Sequence, residues 1–251
     1  MMNLGALGHH LASQPAHRVI RMSLTRRARR AVALIGVVLS LATPNSVPTW
    51  AQAPVNPRPQ AAPAAPAVPA IPVDGRLTWR GITVDATEIK DAPQYKAIMT
   101  SLVHQIDIVA DCGAKPEQLQ FFRSQTVFVK HAPPGGAGHF DSRHPGVTLA
   151  DVVAEPQKPI LLHELLHAYH FRVMPGAYRN AEILTFFHRA QGSEAYPKDA
   201  YVLKNVQEFF AVTASLYLWG NVDRPPHTRD KLKAAQPVYY TWLGQLFGVT
   251  P

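Results

Sequence analysis

Cysteine is almost absent. The 251-residue chain has one, Cys112, which excludes an intrachain disulfide and any cysteine-rich zinc site. Charged residues are also sparse, at 17% of the chain. Residues 1–51 contain no acid at all, only the arginines Arg18, Arg21, Arg26, Arg27, Arg29 and Arg30. Set apart from the rest, they account for most of the formal net charge of +8, leaving 19 basic against 17 acidic side chains. A basic excess confined to one end does not make a nucleic-acid-binding surface, and no nucleic-acid partner is expected. Phosphate-loop chemistry is excluded too, because the glycine-rich stretch PPGGAG at 133–138 is not followed by Gly-Lys-Ser/Thr.

What the N-terminus does contain is an export pattern. Arginines 26, 27, 29 and 30 precede the apolar run 31–42, AVALIGVVLSLA. At 12 residues it falls well short of the ~20 needed to cross a bilayer. Thr49 and Ala51 supply small residues where a signal peptidase reads, so cleavage is expected before Gln52. Residues 1–51 therefore read as a signal peptide, with Met22 an alternative start. The protein is expected to be periplasmic or secreted, with no stable membrane insertion after cleavage. Proline is abundant, 23 in all, and clustered. The stretch 52–73, QAPVNPRPQAAPAAPAVPAIPV, cannot bury a core and reads as an extended tether. A single folded domain is expected over 74–251.

Within that domain, alternation over 76–85 predicts strand structure, and TVFVK at 126–130 a short strand. Residues 138–141 and 147–149 suggest a strand pair around the turn SRHPG. Apolar spacing predicts helices over 94–110, 116–122, 159–172, 179–191, 199–219 and 229–247. Strands early and helices late indicate an α+β class.

One helix carries the sequence HELLHAYH, 163–170. Histidines four apart lie on one helical face, so His163 and His167 can share one metal ion. Glu164, beside the first, can reach a water on that ion and act as general base, then as acid toward a leaving amine. Catalytic zinc needs a third protein ligand and an open position. Glycine at 170 and histidine at 173 would extend the motif to a third histidine, but the chain has His170 and Val173. His170 reads as a supporting or packing residue. A downstream carboxylate is the other route, and Glu208 fits. It is the only acid between Asp199 and Asp223 and sits among Val206, Phe209, Phe210 and Val212. An acid in that setting is costly unless paired or bound to metal. Glu182 and Glu194 are the rivals, in more polar surroundings. Tyr201, seven residues earlier, is expected two helical turns away on the same face, positioned to donate to an oxyanion. Asn205 is expected to brace the site.

HELLH followed by Y-x6-E-F-F-A resembles the zincin metallopeptidases related to anthrax lethal factor and the Pro-Pro endopeptidases, a gluzincin-type group. The resemblance covers roughly 126–220, including G-H-F-D at 138–141 and V-T-L at 147–149. It implies a zincin-like fold with a small N-terminal mixed sheet followed by zinc-binding helices. It also implies His163, His167 and Glu208 as zinc ligands, Glu164 as base, Tyr201 as transition-state donor, and a peptide or protein substrate that adds to the sheet edge. Val212 departs from the pattern, since related sequences often carry an acid there. The expected function is that of an exported zinc peptidase. The alternative is a zinc-binding or envelope scaffold with a degenerate peptidase fold, against which intact Glu164 and Tyr201 both argue. A deformylase-like enzyme needs a cysteine ligand, which Cys112 in ADCGA does not match.

Overall fold

The structure, a computed structural model, describes residues 68–131 and 136–248. The export signal, most of the tether and the start of the PPGGAG loop lie outside the described residues. The last tether residues are described and lie on the domain. Ile71 packs against the core, and the Tyr95 hydroxyl donates to the Pro72 carbonyl at 2.5 Å.

The architecture is α+β: a small mixed sheet and seven helices among the described residues. The 76–85 segment is a hairpin of β1 (Arg76–Trp79) and β2 (Ile82–Asp85). Next come α1 (Tyr95–Asp111) and α2 (Pro116–Arg123), then β3 (Val127–Lys130), β4 (Gly138–His139) and β5 (Val147–Ala150). The sheet order is β1-β2-β3-β5-β4. Strands β2, β3 and β5 run parallel, and β4 closes one edge antiparallel to β5. Because α1 and α2 interrupt the strands, the chain does not strictly place strands first. Helix pairs are instead the crossover that lets β2 and β3 run parallel.

Helix α3 (Ile160–Arg172) carries the HELLH motif and is the centre of the core. Leu161, Leu162, Leu165, Leu166 and Ala168 are completely buried. It packs against α1 and, most extensively, against α5 (Val206–Trp219), whose residues Phe209 to Leu218 are buried without a break. Between them lie a 3-10 turn, Ala177–Arg179, and α4 (Ala181–Gln191). No helix among the described residues is long and apolar enough to cross a membrane.

Two helices expected to be continuous are broken. The 199–219 segment splits into a 3-10 turn, Tyr201–Leu203, and α5. Asn205 is the reason: its extended backbone starts α5 as N-cap, and its side chain accepts the Glu208 amide at 2.8 Å. The 229–247 segment splits into α6 (Arg229–Ala235) and α7 (Pro237–Phe247). Pro237 has no amide to continue α6 and begins the next helix instead.

Candidate metal centre

Helices α3 and α5 bring three ligand-type side chains to one point. His163 and His167 project from adjacent turns of α3, their Nε2 atoms 3.0 Å apart. Glu208 enters from the first turn of α5, with Oε2 3.2 Å from His163 Nε2 and 3.5 Å from His167 Nε2. A tetrahedral zinc with bonds of about 2.0–2.1 Å needs ligand atoms about 3.3–3.4 Å apart, so the triangle matches one face of that tetrahedron. Buried Glu208 Oε2 makes no hydrogen bond among the described residues. Two imidazole nitrogens turned toward each other beside an unsatisfied carboxylate oxygen are a donor set short of a cation. His163, His167 and Glu208 can thus hold a metal ion. Glu182, Glu194 and His170 are not part of that cluster.

The electrostatics suit ligation. Burial holds the His163 pKa below the ordinary imidazole range, against the pull of Glu208, so its ring is neutral at neutral pH. Burial raises the Glu208 pKa, but the contacts to His163 and His167 outweigh it and hold the carboxyl well below the usual carboxylate range.

Glu164 lies beside the triad, 6% exposed, with its pKa pushed up to about 7, chiefly by burial. Strand β4 lies directly over it. A Cβ added at Gly138 would come within 2.9 Å of Leu149 Cδ2 and 3.0 Å of Glu164 Cγ. A side chain at 138 would press on both, so glycine suits this close approach of the edge strand to the carboxylate. Gly138→Ala is expected to displace Glu164, lowering any hydrolytic turnover by about 10²-fold while metal content stays at the wild-type level. Unchanged turnover would show that the strand simply shifts to accommodate the methyl group.

Tyr201 lies in the 3-10 turn rather than on α5, yet its hydroxyl still meets the Glu208 carboxylate. Burial and the Glu208 charge push its pKa up to about 12, so it remains a proton donor. Asn205 braces the site through the Glu208 backbone, fixing the start of the helix that carries the third ligand-type residue.

His170 is completely buried and packs edge-on against Tyr178 and tilted against Phe210. Burial lowers its pKa to about 4, so the ring is neutral. The Ala177 backbone attracts it weakly, but neither ring nitrogen reaches hydrogen-bond geometry with another described residue. An unsatisfied buried ring is costly, so His170→Leu is expected to stabilise the metal-free protein by about 1 kcal/mol in urea unfolding. A clear loss of stability would show that the ring has a partner.

Two adjoining cavities flank the triad and share Gly138, His163, Glu164 and Tyr201. One, of about 390 Å³, extends past Gly136 toward Lys158, Lys204 and Arg224. The other, of about 320 Å³, extends past His139 and Phe140 toward Tyr178 and Gln207. The glycine-rich loop thus borders the cleft through Gly136 and Ala137, and the 172–198 segment contributes Tyr178. Sequence reasoning missed Tyr178, Lys204 and Arg224 individually. Lys204 Nζ and Arg224 Cζ lie over the Tyr201 ring, 5.2 and 4.1 Å from its centroid. No periodicity links these positions, so no linear signal could have paired them.

The chain is 34% identical over 86 residues to a Pro-Pro endopeptidase from Paenibacillus alvei, covering 34% of this chain and 37% of that protein. The chain therefore spans well under half the length of the relative it matches. This is a distant likeness to a peptidase. No family model matches the chain, and no solved structure matches it.

Proposed function

We propose that this chain is an exported zinc-dependent peptidase with a zincin-like catalytic domain over 74–251, preceded by a signal peptide at 1–51 and a tether at 52–73. The observation that carries the reading is the convergence of His163, His167 and Glu208 beside a buried Glu164, in a cleft open on both sides. The likeness to a Pro-Pro endopeptidase supports peptide bonds as the target.

His163, His167 and Glu208 would hold the zinc. Bound there, zinc supplies a Lewis acid that polarises the scissile carbonyl and acidifies water. Glu164 takes the proton from the attacking water, and its raised pKa lets it pass that proton to the departing nitrogen. The C–N bond breaks, leaving a carboxylate and an amine. Tyr201 donates from its hydroxyl to the carbonyl oxygen as negative charge develops there. An extended substrate would pair with β4, the edge strand over Glu164.

The test is metal content by mass spectrometry on the full chain, wild type beside Glu208→Ala, together with cleavage of a peptide library. Wild type should carry about one zinc per chain and cleave peptides in a chelator-sensitive way, and the variant should do neither. A wild-type chain that takes up no zinc when refolded with it would leave only a scaffold role.

A further inference from the structure

The larger cavity beside the triad has an apolar wall and a cationic rim. Ile160, Val212 and Val222 line it, with Val212 3% exposed. The charged groups at its edge are Lys158, Lys204, Arg224, Asp223 and Glu164. They do not cancel. Lys158 is compensated twice, by Glu155 at 3.0 Å and Asp223 at 3.2 Å. Arg224 reaches Asp223 only at 3.8 Å, a long contact to a carboxylate already held by Lys158. Glu155 and Asp223 together balance Lys158 and Arg224, so Lys204, over the Tyr201 ring, is the rim cation with no ion pair among the described residues.

Arg224 is also held in place. The loop after α5 turns at Gly220, which has φ of 110°, a conformation that suits glycine. Asn221 pairs with Thr228, the Val222 amide donates to the His227 carbonyl at 3.0 Å, and the His227 amide donates to the Arg224 carbonyl at 2.8 Å. Arg229 ties the base of the loop to the end of α5, donating to the Tyr217 carbonyl at 2.7 Å and the Leu218 carbonyl at 2.8 Å. The Arg224 guanidinium rests with its carbon 4.1 Å from the Tyr201 ring centroid. Its N–H groups also meet Tyr201 and approach Asp223 at 3.8 Å, and a guanidinium has five N–H donors, more than these contacts use, with a fork that matches the planar carboxylate that peptides carry.

Building on the peptidase reading, we infer that the Lys204–Arg224 end of the cleft binds a substrate carboxylate next to the scissile bond. An aliphatic stem would lie along Ile160, Val212 and Val222, with the carboxylate at the rim. That carboxylate comes from an aspartate or glutamate side chain or from the free C-terminus of a short peptide. One chemistry serves both, and the cavity sets the preference apart from the aromatic side at Phe140 and Tyr178.

The test is a cleavage profile of the zinc-loaded full chain on a peptide library with free and amidated C-termini. Acidic residues enriched on one side of the cut in amidated peptides would assign a side chain. Cleavage confined to the last residues of free-acid peptides would assign the terminal carboxylate. Lys204→Glu is expected to raise KM for the preferred acidic peptide by about tenfold at low salt relative to its effect on a neutral peptide of the same length, and Lys204→Arg to restore it. Equal cleavage of acidic, neutral and basic peptides, or a KM indifferent to Lys204→Glu, would overturn this inference and leave the peptidase reading standing. No cleavage of any peptide would overturn both.

Discussion

Glu164→Gln is expected to lower peptide hydrolysis by roughly 10³-fold while leaving the metal in place. The carboxylate lies against β4 and is almost entirely buried, so an amide of the same shape fits without repacking. What it loses is a group that can accept a proton from water and give it up again. That loss corresponds to about 4 kcal/mol of transition-state stabilisation. The variant should fold as well as wild type, since a buried ionisable group is exchanged for a neutral one. Steady-state kinetics beside metal analysis checks both halves. Turnover within tenfold of wild type would move the base elsewhere in the cleft.

The expectation for Glu164 was readable from five residues, because helical spacing alone brings His163, Glu164 and His167 together on α3. The 160–172 helix, the short strands around it and the α+β class were legible for the same reason: local periodicity reports local structure. Glu208 was legible through its cost, as an acid among phenylalanines that had to have a partner. The break before α5 was only half legible. Asn205 and Glu208 are spaced as a cap and its third residue, but the apolar run across 199–219 masked the signal. Tyr201 therefore reaches Glu208 from a separate 3-10 turn, not from two turns down one helix. Tyr178 and Arg224 were beyond reach, because one enters the cleft from the 3-10 turn Ala177–Arg179 and the other from the loop after α5, and the path of each depends on tertiary packing.

Glu208→Ala is expected to remove zinc-dependent thermal stabilisation. A ligand at a thousand times its dissociation constant stabilises the native state by about 4 kcal/mol. For a domain of this size that corresponds to roughly 10 °C in Tm. Wild type should show that rise on adding zinc to metal-free protein, and the variant should show little, because two histidines alone leave the ion weakly held. The measurement is a pair of thermal unfolding curves with and without zinc for each protein, with chelator as control. An equal zinc-induced rise in both would mean that Glu208 is not a ligand.

The β4 edge of the sheet, one of its two edges, has a consequence for what can pair with it. Long, flat, unpaired edges recruit other strands and seed aggregates. Here β4 comprises only Gly138 and His139, and it is followed at once by Phe140 and the Asp141–Arg143 ion pair. An edge of two residues offers too few rungs for another copy to zip onto, and the charges beside it discourage the attempt. The same brevity rations what any extended guest can gain from backbone pairing. Most of the grip on such a guest has to come from its side chains, so discrimination between sequences is built into the shortness of the strand.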